Sequence, residues 1–319
     1  MILNMNDQMT ALEIVRRANA PDPFKIIELM GLTNEMLLDI PMKETNNGVV
    51  NVTLQRSVKA AGSHRIYNKG FGTVATQTQV VHDRIAMLGA YSKADADMID
   101  QSGNKQAALM SEATGIIKGM GMTQAETLVY GDPNKPDEFA GLMSRCNKIG
   151  RFVIDAGGTG NDLTSIYLIA VGPDLFHLIY PKGASGCGVE REDMGRVHEK
   201  DPEDEKREYP VYKNYFTAKY GIAVRAPEAL WRICNVPKNI SGDDLIDLII
   251  DTRHRMPTGA ATYVMYSNIE PIIKLDKAAR DKGNVVYTKE DPWGRPITHV
   301  RDLRCRRMDV ILSTEAQVV

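Results

Sequence analysis

The sequence predicts an α+β chain whose helical and extended stretches are segregated, with strands prevailing in the second half. Three observations predict it. One apolar stripe at helical spacing runs over 95–127, rough alternation of mostly polar residues fills 46–91, and apolar β-branched runs recur after residue 150. With 319 residues, 43% hydrophobic and 25% charged, the chain can bury one large core or two ordinary ones.

The first forty residues hold two short helical patterns. Met9, Leu12 and Val15 recur behind a cap at Asn6 or Asp7, and "DPFKIIELMGLTNEMLLDIPM" breaks at Gly31 and ends at Pro41. Helices this short are marginal alone, so they need a partner surface from this chain or another copy. In 46–91, "VVNVTLQRSV" and "TVATQTQVVH" flank "KAAGSHRIYNKGFG", the pattern of a long two-stranded arm. Polar on both faces, such a ribbon is marginal in water and is expected to lie on something else. Between Val49 and Val81 it carries Arg56, Lys59, Arg65 and Lys69 with no aspartate or glutamate. These four are either candidate contacts to an acidic surface on another copy or merely solubilising charges on an exposed ribbon.

Over 95–127, Ala107, Met110, Ala113, Ile117 and Met120 form one helical face. Gly115, Gly119 and Gly121 each cost up to ~1 kcal/mol there relative to alanine. They imply close approach of a neighbouring backbone, or a helix that frays after Ile117. "YGDP" from Tyr130 ends the pattern. Next come 152–156, 165–171 and 175–180, which read as a meander, then two strands meeting near Lys219-Tyr220-Gly221. "PEALWRICNV" reads as a short helix opened by Pro227. Ser241 caps a helix with Leu245, Leu248 and Ile249 on one face, "IEPIIKLDKAARDKG" is another with a glycine stop, and "DLRCRRMDVILS" closes as a strand. Nine acidic and five basic residues crowd 190–208, which reads as a solvated loop.

Net charge is −2, so no global field draws the chain to nucleic acid or an anionic membrane. Cys146, Cys187, Cys234 and Cys305 lie far apart, which suits reduced thiols and argues against structural zinc. The amino terminus has no basic segment leading into an apolar core, and no stretch approaches a spanning helix, so a cytosolic product is expected. The six histidines match no ligand spacing, and His177 within "LFHLIY" reads as a core histidine. "VIDAGGTGNDLTSIYLIAVG" holds a glycine-rich turn that raises nucleotide binding, yet a phosphate cradle needs a helix next, and "LTSIYLIAV" reads as a strand. The loop is expected to be a hairpin connection. Arg301, Arg304, Arg306 and Arg307, interleaved with Asp302 and Asp309, are expected in ion pairs between subunits.

Six stretches in order carry a resemblance: "LTNEMLLDIPMKETNNG", "HRIYNKGFGTVATQT", "ETLVYGDPNKPDEFAGLMSRCN", "IDAGGTGNDLTSIYLIAVG", "LIYPKGASGCGVEREDMG" and "GIAVRAPEALWRICNV". Together they resemble the major capsid (coat) proteins of tailed double-stranded DNA bacteriophages. The departures are Cys146, where an aromatic is common, and Cys187-Gly188. The resemblance implies the Hong Kong 97-like fold. Its parts would be an N-terminal arm over 1–45, an E-loop with flanking strands over 46–91 and a peripheral-domain spine helix over 92–131. A mainly axial domain would fill 132–282, with a return to the peripheral domain over 283–319. It implies a structural rather than enzymatic role, with no cofactor and no metal: self-assembly into hexamers and pentamers of an icosahedral head enclosing double-stranded DNA. Implied partners are identical subunits, scaffolding, portal and decoration or cement proteins, and DNA held non-specifically, without a membrane. The implied location is the virion, after assembly in the host bacterial cytoplasm. The alternatives are an encapsulin-like cellular shell and, more weakly, a nucleotide-binding enzyme using Gly157 to Gly160.

Overall fold

The computed structural model describes residues 34–56, 62–75, 78–101, 105–184, 186–200, 206–259, 262–282 and 299–319. The helices expected before residue 34 lie outside them. After helix α1 (Met36–Asp39) and strand β1 (Met42–Glu44), the chain runs out along β2 (Val50–Arg56) and back along β3 (Thr78–Arg84). These pair antiparallel, Val50 opposite Arg84 and Arg56 opposite Thr78, in a two-stranded sheet of their own. The expected ribbon is present. Strand β4 (Ala86–Asp95) starts after the single residue Ile85 and belongs to the main, eleven-stranded sheet.

Helices α2 (Ala96–Gln101) and α3 (Lys105–Tyr130) follow. Helix α3 reaches the "YGDP" stop and buries Ala113, Ile117 and Met120, as the spacing requires. It does not fray after Ile117. A Cβ added at Gly115 or Gly119 would meet nothing within 4 Å, so among the described residues no backbone presses on either position. A four-residue helix, α4 (Leu142–Arg145), precedes the strand-rich half.

That half contains β5 (Val153–Asp155), β6 (Leu163–Val171), β7 (Phe176–Tyr180), β8 (Val189–Lys200), β9 (Glu208–Val224) and β10 (Leu230–Pro237). Then come α5 (Gly242–Arg255), β11 (Thr262–Ser267), α6 (Ile269–Lys282), β12 (His299–Val300) and β13 (Leu303–Arg307). The main path runs β12–β13–β11–β6–β7–β9–β4, with β1 beside β7, β8 beside β9, and β10 joining both β5 and β6. Strand β6 is central, and all nine of its residues are buried. The unit β11–α6–β13 is a parallel crossover with Tyr263 opposite Leu303. Ser241 caps α5, its Oγ accepting from the Asp244 amide at 3.1 Å, while Leu245 and Ile249 turn inward.

Four expectations are corrected here. The glycine-rich turn is not a hairpin and no meander forms, because β10 lies between β5 and β6 and pairs with each. The charge run is mostly strand: β8 pairs along β9 from Val189 opposite Ala218 to Lys200 opposite Glu208. Main-chain pairing decides there, and charges stay wet along a strand with only one neighbour. Strand β9 passes through Gly221 without a turn. The glycine is needed because a Cβ would sit 2.5 Å from the Arg84 carbonyl oxygen and 3.0 Å from Ile179. Lastly, only Pro227–Ala229 is helical, as one 3₁₀ turn, and Leu230, Trp231 and Ile233 continue as a buried strand.

A buried polar cluster ties the carboxyl-terminal segment to this core. Arg232 on β10 donates to Glu315 Oε2 (3.0 Å), Ser165 Oγ (3.0 Å) and the Cys146 carbonyl (2.9 Å). Glu315 also accepts from Tyr130 Oη at 2.8 Å, at the end of α3, and from Ser165 Oγ at 2.5 Å. His177 is buried on β7 as expected, and burial pushes its imidazole down to about 4.

Candidate assembly surface

The β2–β3 ribbon has a root, a shaft and a tip, and each is built differently. At the root, Asn51, Thr53 and Asp83 are buried against the body. Arg145, at the end of α4, donates from Nη2 to Asp83 Oδ1 at 2.7 Å and to the Ile222 carbonyl at 3.3 Å, and from Nε to the Ala140 carbonyl at 3.0 Å. Burial raises the Asp83 carboxyl above the ordinary aspartate range, with Arg145 opposing the shift. Along the shaft, Thr78, Gln79 and Val80 of β3 are exposed.

The tip is a turn closed by the Lys69 amide on the Ile66 carbonyl at 3.1 Å. Asn68 sits in it at φ 66°, a left-handed conformation that asparagine tolerates. The Arg65 guanidinium lies 5.0 Å over the Phe71 ring and donates to the Lys69 carbonyl at 3.4 Å. Tyr67 is 92% exposed and Ile66 70%, with Phe71 and Val74 also exposed. These exposed apolar side chains on a ribbon outside the main sheet form a candidate contact surface.

Of the four basic residues singled out in the sequence, Arg65 and Lys69 lie together on this turn. Arg56 ends β2 with its backbone opposite Thr78, and its side chain is outside the described atoms; Lys59 is outside the described residues. Sequence reading picked the charges and passed over the apolar tip residues. Their signal was Ile66, Tyr67 and Phe71 crowded into a stretch read as a connection. It also passed over Asp83 and Arg145, sixty-two positions apart, which no local pattern links.

The carboxyl-terminal arginines correct another expectation. Arg304, Arg306 and Arg307 pair with carboxylates within the chain, where an intersubunit role was expected, and Arg301 Nη1 lies 3.0 Å from His254 Nε2. Arg304 Nη1 donates to Asp39 Oδ1 (2.9 Å), and Arg306 reaches both Asp39 oxygens (2.6 and 2.7 Å). Arg307 grips Asp309, and Arg253 takes Asp302. The Asp39 carboxylate is almost wholly buried, and a buried carboxylate without cations beside it would cost several kcal/mol. In the glycine-rich turn, the Gly157 amide donates to Asp155 Oδ1 and the Gly158 amide to the Asn235 carbonyl, and β6 follows where a phosphate cradle has a helix. Among the described residues, no three of His, Cys, Asp and Glu converge as metal ligands, and no helix is long and apolar enough to cross a membrane.

A family model for the major capsid protein GP7 matches residues 19–319. A solved structure of bacteriophage Epsilon15 matches with a TM-score of 0.67 at 22% identity, covering 100% of this chain and 91% of that one. The bacteriophage JBD30 capsid gives 0.44 at 7% identity (88% and 90% covered), and the holo-SrpI encapsulin complex from Synechococcus elongatus PCC 7942 gives 0.44 at 12% (62% and 86%). The last two are too distant to carry an argument. No curated protein matches the chain. The Epsilon15 likeness shows the Hong Kong 97-like fold. A family match spanning the fold from before α1 to the last residue makes this chain a member of the major capsid protein GP7 family.

Proposed function

We propose that this capsid protein assembles into hexamers and pentamers of an icosahedral head enclosing double-stranded DNA, and that the E-loop tip of each copy docks on the next. The observation that carries the reading is the tip itself: Ile66, Tyr67, Phe71 and Val74 exposed around Arg65 and Lys69, on a ribbon outside the main sheet. Copies joined head to tail close into rings when the rotation between them closes. Obligate interfaces bury ~2,000 Å² or more, so many modest contacts per copy can hold a shell. Arg56, Lys59, Arg65 and Lys69 then face acidic residues of the adjacent copy.

In this reading 1–45 is the N-terminal arm, 92–131 the spine of the peripheral domain, 132–282 mainly the axial domain, and 283–319 the return to the periphery. Scaffolding, portal and decoration or cement proteins complete the head, DNA is contacted non-specifically, and assembly takes place in the host bacterial cytoplasm. Charge reversal of the four basic residues together tests the docking. The expected result is a chain with unchanged thermal stability that forms no shells; normal shells from the reversed chain would sink the proposal.

A further inference from the structure

A cavity of about 360 Å³ opens between the root of the ribbon and the turn that joins α4 to β5, a size near the lower end of the range in which proteins hold small ligands. Its apolar lining comes from Val81 of β3, Phe152 just before β5, Val224 at the end of β9 and Leu230 at the start of β10. Phe152 is braced edge-on against Trp231, ring centroids 5.4 Å apart, and Trp231 donates from Nε1 to the Glu228 carbonyl at 2.8 Å. The charged lining has one sign. Arg145, Lys148 and Arg151 border the cavity, and no carboxylate among the described residues does. Lys148 and Arg151 are exposed and so stand at its mouth, on a turn closed by reciprocal amide-to-carbonyl bonds between Gly150 and Val153 at 3.3 and 3.4 Å. Two of the three cations are answered from outside the cavity: Asp83 takes Arg145 at 2.7 Å, and Glu228 takes Arg151 at 3.0 Å. Lys148 has no anionic partner among the described residues.

We propose that this cavity binds a compact apolar molecule bearing a single negative charge, an aromatic or medium-chain carboxylate, with its hydrocarbon body against Phe152, Val224 and Leu230 and its anionic head at Lys148 and Arg151. The sign follows from the lining. With Arg145 and Arg151 each matched by one carboxylate, one positive charge remains at the mouth, so one anion neutralises it and a cation is repelled. The body follows from the walls, which hydrocarbon covers at a gain and a wholly hydrated ion does not. Charge-assisted hydrogen bonds from the ammonium and guanidinium then fix the head. The ribbon tip of another copy is the wrong occupant, because Arg65 and Lys69 accompany its exposed apolar residues. The site belongs to the single chain and stands independently of the proposed docking.

The test is fluorescence titration of the full-length chain with anilinonaphthalene sulfonate, an aromatic monoanion, followed by displacement with decanoate. One saturable site per chain is expected. Decanoate should displace the probe, and decyltrimethylammonium, with the same tail length and the opposite charge, should leave it bound. Lys148→Glu with Arg151→Glu alters two exposed side chains and should weaken decanoate about tenfold or more, the loss of at least one charge-assisted hydrogen bond. Val81→Trp, at a half-buried position on the wall, fills the space and should abolish binding with every charge kept. Near-ultraviolet circular dichroism confirms that each variant is folded, and the charge variant carries the test if Val81→Trp folds poorly. Absence of a saturable site, displacement by the cation as readily as by the anion, or unchanged affinity in the charge-reversed chain overturns the proposal. So does probe binding that disappears in Tyr67→Asp with Phe71→Asp, which would place it on the ribbon tip.

Discussion

Replacing Glu315 with alanine should be among the most destabilising single changes in this protein. Arg232 is fully buried, and Glu315 is its one anionic partner among the described residues, at 3.0 Å, while accepting from Ser165 and Tyr130. Without the carboxylate, Arg232 keeps two neutral acceptors, Ser165 Oγ and the Cys146 carbonyl, but its charge is uncompensated. Breaking a buried pair by removing one partner costs about 3–5 kcal/mol, far more than an exposed pair is worth. For a chain of this size that lowers the melting temperature by about 5–10 °C. Chemical denaturation and scanning calorimetry of Glu315→Ala, Arg232→Leu and the double variant form the assay. The double variant should recover part of the loss, because it leaves no lone charge. A Glu315→Ala cost below about 1 kcal/mol would mean that Arg232 is hydrated and the cluster is not dry, which refutes the reasoning.

The remaining predictions rest on separate features. His177 has its imidazole pushed down to about 4 by burial, against 6.5 for the unperturbed group, so the unfolded chain binds the proton first as pH falls. Its stabilising contribution is full above 6.5 and is lost between 6.5 and 4, by at most about 3 kcal/mol; melting curves across that window should flatten in His177→Leu. Gly221→Ala places a Cβ 2.5 Å from the Arg84 carbonyl oxygen and should cost about 1–3 kcal/mol in urea denaturation, by forcing the ribbon root off β9. Tyr67→Asp with Phe71→Asp touches only exposed tip residues. It should change stability by less than about 0.5 kcal/mol while abolishing sedimenting particles in a sucrose gradient.

What could be read from the sequence divides along physical lines. The ribbon, α3, α5 and α6 announced themselves because one face of each repeats at a fixed period and local caps mark the ends: Ser241 does this for α5, "YGDP" for α3. Strand β10 was misread because a strand buried on both faces has no period, and Pro227 offered a helix start that ends after one 3₁₀ turn. The charge run hid β8 because its strand character comes from β9, a partner that follows it in the chain. The arginines near the end were legible as ion-pairing residues, but their partner, Asp39, lies more than two hundred and sixty positions away. Of the assembly surface, the basic bias was visible. The exposed tip aromatic residues and the Asp83–Arg145 contact needed the fold.

The most direct test of the central claim is electron microscopy of the expressed 35.4 kDa chain after size exclusion, over a range of salt and protein concentrations. The account predicts capsomer rings, tubes or closed shells in the void volume, as the proposed docking of each ribbon tip on the next copy requires. Dispersed single chains under every condition would contradict it.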